Sequence, residues 1–259
     1  MNKVVAICGG SYFSADPELP GQSFAEVMCS RNNWQLWSLA RGGCSNFAIR
    51  LQVDKAIELG ADIVVLGPVG PDRGEFPIIT EDNRSIWDRL KDSFNWTDWG
   101  KTQPKVYDET RGISNILHTT FLSSTYPWIT NPTIISESLN NLMFSNNHKL
   151  TTEQLDALRG YMLHLYDSGI KRQTDSWIIS DACRCLEQAK IPYLLFIEEL
   201  YNYNFSKDIK WVPEKNIVRP TDFSVWNNVP KGDTLFHYSP GQGSKIFANY
   251  VESRIKDLL

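Results

Sequence analysis

The sequence contains no CxxC pair, no apolar run of membrane-spanning length, no Gly-x-Gly-x-x-Gly turn and no Gly-Lys-Ser/Thr following an expected strand. Each absence removes a class of function. Five cysteines without paired spacing argue against a structural zinc site, and Cys183 and Cys185, two positions apart in an expected helix, point in different directions. With no spanning run and no small-residue cleavage site after the first apolar stretch, the simplest expectation is a cytoplasmic chain with reduced thiols and no membrane contact. The segment CGGSYFSAD lacks the glycine spacing that lets a backbone approach a pyrophosphate, so a dinucleotide cofactor is not expected. Positive charge is scarce as well. Lys and Arg number 26 against 30 Asp and Glu, a formal charge of -4, which offers no broad basic field for nucleic acid.

What is present suffices for a full core: 259 residues, 42% of them hydrophobic. Aromatic residues make up 12%, including nine tryptophans, which fits an aromatic-rich core or an aromatic-lined groove. Lys3 to Cys8 reads as a buried first strand, Gln22 to Arg31 as a short helix and Trp34 to Leu39 as a half-buried strand. Ser45 stands where a helix N-cap belongs. Ile49, Val53, Ala56 and Ile57 then recur at helical spacing until Gly60, and Asp62 to Leu66 is another β-branched strand.

Strand and helix in alternation predict a parallel sheet with helices on both faces. The expected fold is a three-layer α/β/α sandwich around about five strands, a single domain over 1–259. Its regular alternation dissolves over about 74–150, a stretch rich in Asn, Ser, Thr, Trp and Pro, expected as an irregular insertion that forms a cap or a binding surface. Beyond it, a helix opens at Thr151 or Thr152 with Leu155, Leu158, Met162 and Leu165 as its apolar stripe, interrupted near Gly169. A helix over about Thr174 to Ala189, a strand from Pro192, a short strand at Asn216 to Arg219 and a last helix over Lys245 to Leu258 complete the reading.

The chemistry belongs at the strand exits, where open α/β sheets bind ligands. Those exits read GGS, ARGG and GPVGPDR, which predicts that Ser11, Gly43 and the loop from Gly67 to Arg73 converge. A serine hydroxyl is a poor nucleophile until a base takes its proton. Of the four histidines, His118 and His148 fall in the insertion and His164 in a helix; His237 precedes the last helix and returns to the same edge of the sheet. Asp233 lies close before it, suited to fixing the imidazole tautomer.

These blocks, GGS, ARGGCSN, a glycine-bearing turn after the third strand and a late Asp with His, resemble the SGNH, or GDSL-type, hydrolase family over most of the framework. The resemblance implies a flavodoxin-like SGNH fold with Ser11 as nucleophile and His237 and Asp233 completing a triad. It also implies an oxyanion hole from the amides of Ser11 and Gly43, with no cofactor and no metal. Gly67-Pro68-Val69 stands where the family carries Gly-x-Asn, which leaves Asn46 and Arg73 as substitute donors or substrate-binding groups. Arg73 has the equal alternative of an ion pair with Asp72 or Glu75, and Asp222 is a second carboxylate for His237. The expected activity is hydrolysis of a carboxylic ester, with an acetylated or otherwise acylated carbohydrate suggested by the aromatic surplus. The alternative is an SGNH-like scaffold of weak or lapsed catalysis, used for binding or assembly.

Overall fold

The computed structural model describes residues 3–10, 12–15, 19–40, 45–70, 153, 156–157, 160–161, 164–197, 205–219 and 242–259, together with the backbone alone of 73–77, 116–120 and 143–144. In chain order its elements are β1 (Val4–Gly9), α1 (Phe24–Asn32), β2 (Gln35–Ser38), α2 (Asn46–Glu58), β3 (Ile63–Gly67), β4 (Arg73–Pro77), β5 (Ile116–Thr120) and β6 (Met143–Phe144). Then follow α3 (Ser168–Gln188), β7 (Tyr193–Phe196), α4 (Phe205–Asp208), a short 3-10 turn at Glu214–Asn216, β8 (Ile217–Val218) and α5 (Gln242–Leu258).

Five strands pair in the order β2-β1-β3-β7-β8, every pair parallel. Parallel strands buried on both faces need apolar residues at consecutive positions, which VVAIC and IVVL supply. Alternate residues serve opposite layers. Val5, Ile7, Ile63 and Val65 pack beneath α1 and α5, against Phe24, Met28, Phe247 and Val251. Ala6, Cys8, Val64 and Leu66 face α2 and α3, against Ile49, Val53, Ile179 and Cys183. The α/β/α sandwich expected from the sequence is therefore the observed architecture, with five parallel strands at its centre.

Local chemistry sets the helix ends. Ser23 and Glu26 form a reciprocal capping box at α1: the Ser23 hydroxyl accepts from the Glu26 amide at 3.3 Å and the Ser23 amide donates to Glu26 Oε2 at 3.0 Å. At α2 the Ser45 hydroxyl accepts from the Phe47 amide at 3.2 Å, as the sequence suggested. Along the α2–α3 seam, Arg50 Nε donates to Asp181 Oδ2 at 2.6 Å and its NH1 pairs with Asp54 at 2.5 Å. Burial alone would lower the pKa of this guanidinium, but the bonds to Asp54 and Asp181 outweigh it and hold the pKa above its ordinary value.

Two expectations change. The chain turns between His164 and Asp167, with the Tyr161 carbonyl accepting from the Leu165 and Tyr166 amides, and Asp167 then caps a new helix by accepting from the Ile170 amide at 2.8 Å. Gly169 consequently sits in the first turn of α3 rather than interrupting its predecessor, and α3 starts at Ser168, well before Thr174. Leu165, expected on a buried stripe, is 74% exposed. Within the 74–150 region, the described backbone includes antiparallel pairs: β4 with β5, from Arg73 opposite Thr120 to Pro77 opposite Ile116, and β5 with β6. This stretch thus carries sheet structure, in a second sheet of order β4-β5-β6. Among the described residues no helix is long and apolar enough to cross a membrane.

Candidate functional site

The strand order reverses between β1 and β3: the chain passes from β1 outward to β2, then crosses over to β3 and continues through β7 to β8. At such a switch point the connecting loops diverge to opposite faces and leave a crevice beyond the strand ends. In this protein the switch point is marked by a pair of glycines, Gly9 at the end of β1 lying in register with Gly67 at the end of β3. The β2 exit adjoins them, with Ser38 opposite Ile7 and the Leu39 amide donating to the Ile7 carbonyl at 2.9 Å. The three exits that the sequence expected to converge therefore leave neighbouring strands along one edge.

The glycines answer to a close approach. Phe13 folds back over the strand ends, its amide donating to the Gly10 carbonyl at 3.0 Å, and its ring meets Phe24, Phe196 and Phe247 at centroid distances of 5.7, 5.4 and 6.1 Å. A Cβ on Gly67 would lie 2.1 Å from Phe13 Cε2, and one on Gly9 would lie 2.9 Å from both the Gly67 carbonyl oxygen and Phe13 Cβ. Only residues without a side chain fit beneath that ring.

From the opposite face, α2 sends two wholly buried amide side chains to the same edge. The Gly9 amide donates to Gln52 Oε1 at 2.7 Å, and Gln52 Nε2 donates to the Gly9 carbonyl across a longer 3.4 Å. The Val69 amide donates to Asn46 Oδ1 at 2.9 Å while Asn46 Nδ2 donates to the Val69 carbonyl at 2.8 Å. Asn46, expected as an oxyanion donor or substrate-binding group, is thus engaged with the backbone of the β3 exit. Gln52 and Phe13 carry site geometry that the sequence reading did not assign. Gln52 had a signal: it lies between Ala48 and Ala56 at four-residue spacing, and a polar residue on a core stripe needs a buried partner.

Ser11, Gly43, Asp233 and His237 lie outside the described residues, as do His148 and Asp222. Arg73 begins β4, with its backbone opposite Thr120. His118 is at a register position on β5 opposite Glu75, and His164 is exposed near the turn before α3. Among the described residues, no group of three or more His, Cys, Asp or Glu side chains could hold a metal ion.

Of the described cysteines, Cys29, Cys183 and Cys185 are free thiols, and Cys8, Cys29 and Cys183 are buried. Burial pushes the thiols of Cys29 and Cys183 from 9.0 up to about 12, with the charges of Glu26 and Glu187 adding to the effect. Neutral thiols suit a core and disfavour nucleophilic work at neutral pH. Because the folded chain holds these protons more tightly than the unfolded chain, their contribution to stability is complete below pH 9.0 and is lost as pH rises toward about 12. Urea melts should lose on the order of 1 kcal/mol of stability per pH unit per thiol in that window. The variant Cys29→Ala/Cys183→Ala should show a shallower slope; equal slopes would remove the thiols from the account.

Comparison with models of known protein families gives no match, and no curated protein sequence matches the chain.

Proposed function

We propose that this protein is a serine hydrolase of the SGNH (GDSL-type) kind that cleaves carboxylic esters at the β1/β3 switch point. The observation that supports the reading best is the pairing of Gly9 with Gly67 at that point, two residues before Ser11 in sequence and beside the exit that leads toward Arg73. A nucleophile just beyond a buried strand end is carried by a rigid base.

In the proposed reaction, Ser11 Oγ attacks the acyl carbon while His237 accepts the hydroxyl proton and Asp233 stabilises the resulting imidazolium. The amides of Ser11 and Gly43 hydrogen-bond the tetrahedral oxyanion. Collapse expels the alcohol, which takes the proton from His237; water, deprotonated by the same imidazole, then releases the acid from Ser11. An O-acyl carbohydrate is the substrate class suggested by the aromatic content, and the cytoplasm is the proposed site of action. No cofactor is needed.

One observation favours a second reading, a binding or assembly module on the same scaffold. Val69 occupies the place of the family's asparagine and its amide is bonded to Asn46, so the third oxyanion donor is not supplied from that position. Hydrolysis of short-chain nitrophenyl esters, together with labelling by a fluorophosphonate and mapping of the modified residue, separates the two. Turnover with the label on Ser11 supports the enzyme; neither turnover nor label supports the binding module.

A further inference from the structure

We infer that Gln52 and Asn46 are positioning residues, a pair of buried amides through which helix α2 sets the exits of β1 and β3 relative to each other. The catalytic half of this inference rests on the hydrolase reading above. Its structural half rests on the hydrogen bonds alone.

A parallel strand pair holds its members together only as far as the ladder runs, and here the register ends at Gly9 and Gly67. Among the described residues no strand pairs with the backbone beyond that point, although any reaction at a strand exit demands placement within a fraction of an ångström. A carboxamide carries one acceptor and one donor side by side, as a strand neighbour does. Gln52 offers this pair to Gly9 where β1 ends and Asn46 offers it to Val69 just past β3, so each side chain extends the hydrogen bonding of a strand exit. The two residues are six apart on one helix, which separates them by roughly 9 Å along its axis. That spacing is held by the helix backbone, and Ser45 caps the end from which Asn46 projects. The β1 exit is pressed from the other face by Phe13, so Gly9 is pinned between a hydrogen-bonding clamp and an aromatic lid.

Both side chains are fully buried, so solvent does not compete for these bonds. An apolar residue of similar volume at position 52 would keep the packing and remove the direction, which is the distinction the test exploits.

The variants Gln52→Leu and Asn46→Leu are compared with Val53→Ala, a core substitution on the same helix that removes no amide. Amide hydrogen exchange is the first readout. Gln52→Leu should speed exchange at Gly9 and Asn46→Leu at Val69, each by tenfold or more, with Val5, Ile7, Val64 and Val65 unchanged; Val53→Ala should leave both exit amides slow relative to its global stability. The second readout is nitrophenyl ester hydrolysis: kcat should fall about 10- to 100-fold in each leucine variant with KM nearly constant, and fluorophosphonate labelling should slow in parallel. Wild-type rates of exit exchange in the leucine variants would overturn the inference. So would an equal loss of kcat in Val53→Ala at matched stability. A wild-type protein without esterase activity would reject the hydrolase reading, and the exchange data would then decide the clamp by themselves. If Gln52→Leu does not fold, Gln52→Met is read in its place, because its flexible, unbranched side chain fills the same space without the amide.

Discussion

Ser11→Ala should lower ester hydrolysis by about a thousandfold or more in kcat, and His237→Ala should lower it by a similar factor. The alanine at position 11 deletes the atom that becomes acylated, so the only remaining route is direct attack by water on a bound ester. The alanine at position 237 leaves the hydroxyl without a base, and a neutral serine does not attack an ester at a useful rate near pH 7. Because both residues serve one step, the double variant should be no slower than either single variant. Melting temperatures within a few degrees of wild type would tie the loss to chemistry. Retention of wild-type turnover by Ser11→Ala would end the covalent mechanism, and multiplicative losses would argue that the two residues do not act together.

Gly67→Ala is the substitution expected to damage the fold most for the smallest change in mass. The added carbon would lie 2.1, 2.3 and 2.5 Å from three atoms of the Phe13 ring, far inside van der Waals contact. The ring has little room to retreat, since Phe24, Phe196 and Phe247 surround it edge-on. Overpacking of this kind costs about 1–3 kcal/mol. Against a total stability of about 5–15 kcal/mol, that lowers Tm by roughly 2–12 °C at the 2–4 °C per kcal/mol usual for domains of this size. Calorimetry of Gly67→Ala, Phe13→Leu and the double variant forms a cycle. The double variant should be more stable than the sum of the single losses predicts, because the smaller residue at position 13 relieves the clash. Additive losses, or a Tm for Gly67→Ala equal to wild type, would show that the ring is not where this geometry requires it.

Elements whose identity depends on local pattern were legible in the residues. VVAIC, IVVL and YLLF are apolar runs too short for helices and rich in β-strand formers, and each is a strand of the parallel sheet; the first two lie within a residue of their expected limits, and the third starts one residue after Pro192. Ser45 marked the start of α2 because an N-cap hydroxyl satisfies an amide only a few positions on, a requirement visible within one turn. The start of α3 was less visible. Ile170 and Trp177 are 70% and 60% exposed, so the apolar periodicity of its first turns does not point to a core and gives a misleading onset near Thr174. In the 74–150 region, ILHTT and RGEFP lack the regular alternation that announces a half-buried strand, yet their backbones pair in antiparallel register. That pairing joins segments some forty residues apart, and no local window contains both.

The candidate site divides along the same line. Glycine and serine at the strand exits named an edge of the sheet, and the alternation of strand and helix implied that the exits would share it. Nothing in GGS or GPVG says that Phe13 closes over Gly67, or that two amides of α2 hold Gly9 and Val69. By itself the sequence determined the layered α/β architecture and the sheet edge that the strand exits share, because both follow from hydrophobic period and from the short reach of capping and turn residues. Only the tertiary structure decided which side chains frame that edge, because contacts such as Gln52 to Gly9 and Phe13 to Gly67 form only after the helices dock and carry no periodic trace along the chain.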